Sequence, residues 1–406
     1  MFNKIKYWFK SHLNKILNSI SFYPAVIGLL FLVLAILMMG FDFSLQGKQF
    51  KSQIDWLNIK DATTARSIIS AIAAGIISLA VFSFSMVMII LNQAASQMSN
   101  RVLDKLIGNR FQQIVLGIYI GTIVYAFFLL STIRDIDSGL YIPSLSTYLL
   151  ILITIFDIFL FIYFLHYITQ SVKYDVIIKK VFDNTYDVMK DDCTVKEHTS
   201  VTIKFAQKFE IKTLQAGIYE GFDKNSLLHI CEKHNCMVNI LRAPGSSLLK
   251  NIVIANVDVD LDQEIKKDIA DCFFLHKSES IEENYFYGFR QLTEIALKAL
   301  SPGINDPATA IISLRSLFEL YSFQIVNFSK LLFTNKNGEA KILLKGLSFD
   351  DIFIETIIPI WNYGKNDRMI QKELLSLLPQ LLSISENEKV TQFLNVVKEK
   401  AKENIF

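Results

Sequence analysis

A chain of 406 residues with 51% hydrophobic residues and a mean hydropathy of +0.34 is too apolar for an ordinary soluble protein, and its 20% of charged residues excludes burial in lipid throughout. The near balance of 41 basic against 39 acidic residues, a net charge of +2, gives no global field for nucleic acid or for an acidic substrate. All four cysteines lie from Cys193 onward, in the half that reads as cytosolic, so reduced thiols are expected rather than a disulfide framework.

Residues 1–23 carry Lys4, Lys6, Lys10 and Lys15 and no acid, with Ile5, Trp8, Phe9, Leu13, Ile16 and Leu17 near helical spacing, which predicts an interfacial amphipathic helix. The apolar run that follows, residues 24–41, lacks a small-x-small cleavage site and reads as a first, uncleaved span. After a polar connection, Asp42 to Arg66, no charged residue occurs until Arg101. A helix over Ser67–Asn100 would reach ~50 Å at about 1.5 Å per residue, beyond the ~30 Å hydrocarbon core, so one end projects into water and the second span is placed at 67–92.

At about 100° per residue, Ser67, Ser70, Ala74, Ser78, Ser85, Asn92, Ser96 and Ser99 fall near one line of that helix. This small and polar seam is either a face for close helix packing or one wall of a hydrated path. A basic link with Arg101, Lys105 and Arg110 leads to the third span, 111–133, whose Gly117-Ile-Tyr-Ile-Gly121 has the spacing that lets two helix backbones approach. The fourth span is placed at 145–169. The Lys-rich start and the basic link against the single Arg134 between spans three and four, with an even number of spans, put both termini in the cytoplasm; Lys48, Lys51 and Lys60 in the first external loop dilute this bias without reversing it.

Asp157 is the only acid within these four spans, where a charge costs ~2.5 to 3.5 kcal/mol on insertion scales. Counted from the outer face, Ser78 and Asp157 are each about twelve residues down and Thr122 reaches a similar depth, so the three are expected to form a polar layer at the bilayer centre. Two roles are open for it: a hydrogen-bonded aspartate that locks the bundle, and a proton or cation site.

From residue 171 charges return. An amphipathic helix with Val172, Val176, Ile177, Val181 and Val188 on one side is expected to link the bundle to a small β-rich module ending near 260, followed by a mainly helical region, 261–406. In the module a strand is expected near 212–219, a helix at 226–233, and strands at 237–241 and 252–259. His229, Cys231, His234 and Cys236 have zinc-like residue types, but residues two apart on a helix face different sides, so no metal is expected there. Ser301-Pro302-Gly303-Ile304-Asn305-Asp306-Pro307 then stops one helix and starts another: Pro-Gly supplies a turn, and Asp306 before Pro307 is an N-cap followed by a first-position proline. The exposed amides of a helix start also bind anions, though Asp306 would occupy them itself.

The run Ala299–Pro307, together with Leu91–Arg101 and Leu116-Gly117 through Gly121-Thr122 to Tyr125, resembles the bacterial membrane proteins known as domain of unknown function 2254. The resemblance implies a multi-pass membrane protein with a cytoplasmic domain and carries no activity with it. Where members have a Gly-x-x-Arg-Thr-x-x-Gln-Asp pattern before the final motif, this chain reads His276, Glu279, Ser280, Glu283 and Asn284.

The tail is expected to form a hairpin turned at Asn337-Gly338 and helices at 349–361, 367–382 and 386–403, the first of them started by Ser348 and Asp351. No nucleotide loop, nucleophile elbow or paired-histidine metal helix is present in the sequence, so neither enzyme activity nor a cofactor is expected. The fold expected is an α-helical membrane domain of four spans with an α+β cytoplasmic domain. Two functions fit: a homo-oligomeric channel or transport protein with a regulatory cytoplasmic domain, and a membrane-anchored sensor or scaffold that binds a cytosolic partner.

Overall fold

The computed structural model describes residues 21–53, 59, 61–97, 110–136, 139–171, 173–195, 205, 207–276, 281 and 284–403. The amphipathic start (residues 1–20), Lys60, the basic link at Arg101 and Lys105, Ser99, Glu279, Ser280 and Glu283 lie outside them. The chain divides into two compact units at Lys173/Tyr174.

The first unit holds four helices long and apolar enough to cross a membrane: α1 (Phe22–Phe43), α3 (Ala62–Gln97, apolar through Ile89), α4 (Arg110–Thr132) and α5 (Ser144–Ser171). A short helix, α2 (Leu45–Gln53), follows α1, and a hairpin of β1 (Arg134–Ile136) and β2 (Gly139–Tyr141) joins α4 to α5. Their outer faces carry large apolar side chains, among them Leu30, Leu37, Val81, Phe84, Phe156, Phe159 and Ile162, all exposed. That is the inverse of a water-soluble bundle and what a hydrocarbon surround requires.

Helix α3 begins five residues earlier than the charge-free run predicts. Asp61 accepts from the amides of Thr63 and Thr64 (3.1 and 2.8 Å), capping the helix. Ala62 and Ala65 are buried, and Arg66 reaches the Ile133 carbonyl at 3.3 Å, so a charged residue is accommodated inside the helix. The two glycines of α4 pack within the chain, against α1. A Cβ on Gly117 would lie 2.7 Å from Ile27 Cδ1 and 3.1 Å from Pro24 Cα, and one on Gly121 would lie 2.6 Å from the Phe31 ring. Small residues here let the two helices approach where lipid offers no hydrophobic drive.

The second unit starts with α6 (Tyr174–Asp192), whose buried stripe is Ile177, Ile178, Val181, Thr185 and Met189; Val176 is exposed and Val188 half-buried. A Cβ on Gly288 would collide with Thr185, so α6 presses directly on α9 (Phe286–Ala299).

A five-stranded sheet has the order β3 (Phe209–Lys212), β7 (Val253–Val257), β5 (Val238–Ile240), β10 (Ala340–Leu343), β9 (Leu332–Thr334), and a three-stranded one the order β6 (Ser247–Leu248), β4 (Gly217–Phe222), β8 (Phe273–His276). The stretch expected as one strand, 212–219, is two, placed in different sheets, because Thr213 turns back to bond Leu249 and Ile252. Helices α7 (Lys224–Lys233) and α8 (Gln263–Asp271) accompany them, with Leu227, Cys231, Val238, Ile240, Ile254, Val257 and Ile269 in the common core. The hairpin β9–β10 belongs to this sheet, since β10 pairs in parallel with β5 through Ile342 and Val238. Helices α10 (Pro307–Gln324), α11 (Phe349–Gly364), α12 (Arg368–Ile384) and α13 (Glu388–Glu403) complete the unit, around an aromatic cluster of Phe289, Tyr321, Phe353 and Phe393.

Candidate functional site

Asp157 lies midway along α5, about 20 Å from the helix start at 1.5 Å per residue, and is fully buried, as is Thr122 of α4. The Thr122 hydroxyl lies beside the Asp157 carboxylate, Tyr119 of α4 is within electrostatic reach of it, and Ser83 of α3 lies beside the Tyr119 hydroxyl. None of these approaches closes into a hydrogen bond of normal geometry. Thr122 donates instead to its own helix, to the Ile118 carbonyl at 3.0 Å. Both Asp157 oxygens, the Tyr119 hydroxyl and the Ser83 hydroxyl are buried without a hydrogen-bond partner among the described residues.

Three helices thus bring one carboxylate and three hydroxyls together inside the bundle, and Tyr119 among them packs in an apolar cluster with Ile76, Val115 and Phe164. A charge buried in such surroundings is costly unless it is neutralised. Hard oxygen donors around one negative charge suit a proton or a hard cation.

The third residue expected in this layer, Ser78, does not join it. It is exposed, and its hydroxyl donates to the Ala74 carbonyl at 2.9 Å. Depth counting gives only a height along the bundle, and Ser78 is about 140° around α3 from Ser83, the residue that does face inward. Ser67, Ser70, Ser85 and Asn92 share the exposed face of Ser78, and a Cβ added at Gly75 on that helix would meet nothing within 4 Å. Within one chain the seam and the acid therefore lie on opposite sides of α3.

A second buried acid was hidden from the sequence by its place at the edge of the first apolar run. Asp42, the penultimate residue of α1, is wholly buried and fully partnered. Its Oδ1 pairs with Lys51 Nζ of α2 at 2.7 Å, and its Oδ2 accepts from the backbone amide and hydroxyl of Ser146 at 2.8 and 2.9 Å. It caps α5 from another helix, supplying the acceptor that the first turn lacks. Tyr125 donates to the Ser146 carbonyl at 3.2 Å from α4.

The corner between α9 and α10 is built as its residues direct. Asp306 accepts from the Thr309 amide (3.1 Å) and hydroxyl (2.6 Å), and Pro307 occupies the first helical turn. The Asp306 amide donates to Ala299 (2.8 Å) and that of Asn305 to Ser301 (2.9 Å). The left-handed residue is Asn305, with φ of 50°, whereas Pro302 and Gly303 form the exposed tip. Burial, and secondarily the Asp306 charge, raises the pKa of Tyr174, the first residue of α6; the corner therefore sits where the chain enters the second unit.

Asp306→Ala should destabilise this unit by ~0.5 to 2 kcal/mol, seen as a lower unfolding midpoint of the full-length protein in detergent. Asp306→Ser should largely retain the midpoint. Equal loss in both would mean that the charge beside Tyr174, not the cap, is what matters.

The zinc-like residues do not converge. Cys231 and Cys236 are buried beside each other in the core, while His229 is exposed on the surface of α7. No group of three metal-ligating side chains occurs among the described residues.

No solved structure matches this chain. It is similar to two proteins whose printed names are Uncharacterized protein Rv1290c, of Mycobacterium tuberculosis, and Uncharacterized protein Mb1321c, of Mycobacterium bovis. Each is 23% identical over 347 residues, covering 77% of this chain and 63% of the relative, so the chain spans less than two thirds of their length. The sequence profile described as predicted membrane protein (DUF2254) matches residues 17–380. With four apolar helices of spanning length within that match, the chain belongs to this family of membrane proteins.

Proposed function

We propose that the protein is a homo-oligomeric transport-type protein of the bacterial inner membrane, with a proton or cation site at Asp157 in each copy and a C-terminal regulatory unit in the cytoplasm. The observation that carries this reading is the mid-span carboxylate with both oxygens unpartnered, grouped with the hydroxyls of Tyr119, Thr122 and Ser83. A purely structural aspartate would be expected to resemble Asp42, with every oxygen engaged.

Assembly is supported by the outward seam of α3. Small residues and serines that satisfy their own hydroxyls, as Ser78 does, let a second helix come close. The cytoplasmic orientation rests on the Lys-rich start, the even number of spans and the four free cysteines.

The test is flux. Purified protein in liposomes loaded with a pH-sensitive or sodium-sensitive dye should dissipate an imposed gradient faster than protein-free vesicles. Single cysteines at Ser70, Ser78 and Ser85 should cross-link between copies. A protein that forms no cross-links and passes neither protons nor alkali cations is instead an anchor or scaffold.

A further inference from the structure

Between the end of α10, strand β9 and the start of α11, the second unit encloses a cavity of about 600 Å³, within the ~300–1,000 Å³ of small-molecule sites. Its walls include Tyr285, Gln324, Asn327, Phe328, Ser329 and Phe349, and they are mostly apolar. One wall is fixed by a two-way backbone bridge, in which Val195 donates to Phe328 at 3.1 Å and Phe328 to Val195 at 2.8 Å.

The polar groups in this cavity divide sharply. Ser329 Oγ is engaged by the Tyr285 hydroxyl at 3.2 Å and by Cys193 Sγ at 3.5 Å. The Asn327 carboxamide donates to the Phe323 carbonyl at 2.6 Å. Gln324 differs from both: it is only 3% exposed, yet its side-chain Oε1 is buried without a hydrogen-bond partner among the described residues. An amide left so inside a packed unit costs stability that a leucine would not. No described residue hydrogen-bonds its Oε1.

The chemistry of the occupant follows from what surrounds that amide. Burial pushes the Cys193 thiol and the Tyr285 phenol above their ordinary pKa values, so both keep their protons at neutral pH. Among the described residues no acid lines the cavity and the one cation is Lys330, which is exposed with its ammonium 5.7 Å from the Phe333 ring centroid. The interior is therefore neutral, with the rings of Phe328 and Phe349 as apolar walls. A carboxamide presents a donor and an acceptor side by side and is best met by a ligand edge with the reverse order, as in a bidentate amide or base pair.

We propose that this cavity binds a small, uncharged, flat molecule that offers adjacent N–H and C=O groups, a carboxamide, lactam or nucleobase edge, to the side chain of Gln324. The site stands whether or not the bundle transports anything.

The experiment uses the full-length protein in detergent and four probes read by thermal shift and titration calorimetry. Benzamide and 2-pyridone carry the complementary edge; benzoate has the same shape with a charge, and toluene has no hydrogen-bonding group. Saturable binding of benzamide and 2-pyridone, at least tenfold tighter than benzoate or toluene, is expected. Gln324→Leu should remove that preference while its own unfolding midpoint stays level or rises. Gln324→Met, which keeps the length of the side chain, should behave in the same way and decides the matter if the leucine variant does not fold. Equal binding of all four probes, undiminished preference in the variants, or no saturable response to benzamide and 2-pyridone would overturn the assignment.

Discussion

Asp157→Asn should leave the protein folded and assembled, yet abolish the gradient-driven flux of protons or cations through reconstituted vesicles. Asparagine keeps the volume and polarity of the residue and removes the one negative charge in the layer, so a cation loses its counter-charge and a proton its acceptor. Because protonation and cation binding would compete for the same oxygens, wild-type cation flux should fall as the pH is lowered, and that dependence should vanish with the charge. Asp157→Leu gives the complementary reading. The carboxylate makes no hydrogen bond that leucine would forfeit, so resistance to unfolding in mixed micelles should be unchanged or raised by about 1–3 kcal/mol. If wild type and Asp157→Asn conduct alike, the acid is not on the path. If Asp157→Leu collapses the bundle, the acid is a lock after all.

The other buried acid should respond with the opposite sign. Asp42→Ala strands the Lys51 ammonium, whose side chain is 13% exposed, and removes the cap from the Ser146 amide. Breaking one side of a buried pair typically costs about 3–5 kcal/mol, enough to deplete folded protein at ordinary stabilities. Asp42→Asn retains an acceptor for Ser146 and should lose less. Adding Lys51→Met to Asp42→Ala should recover part of the loss, since the unpaired cation is then gone, and unfolding of all four proteins in a double-mutant cycle measures the coupling. Additive effects would mean that the ion pair contributes nothing and that the cap to α5 accounts for the whole change.

These two acids also mark where sequence reasoning reaches its limit. Asp157 stands alone in a long apolar run, so residue type and position suffice to single it out. Asp42 sits one residue past the first span as its hydropathy defines it, and nothing local separates a buried acid from a solvated one; its partner Ser146 is on another helix. Depth along a bundle is additive in residue number, which is why the sequence places Thr122 at the height of Asp157. Orientation around α3 depends on which face its neighbours cover, which is why residue number alone does not separate the buried Ser83 from the exposed Ser78.

The same distinction holds in the second unit. The corner at Asp306 is written in consecutive residues and was legible, whereas the parallel pairing of β5 with β10 joins segments distant in the chain and left no local trace. Gln324 at the end of an apolar helix is indistinguishable from a solvated glutamine until its surroundings are known.

That distant pairing sets an order on biosynthesis. While the ribosome is still making α9 and α10, β5 can pair with β7, but its other edge stays open until residues 340–343 emerge. At ~5–20 residues per second this leaves an unpaired strand edge for roughly 5–20 s. Exposed edges recruit other chains, so the nascent protein passes through a stage in which its sheet can be completed by the wrong molecule. A chain terminated before Ala340 would stay there permanently, and should be recovered as aggregate or degraded rather than as a membrane domain with a shortened tail.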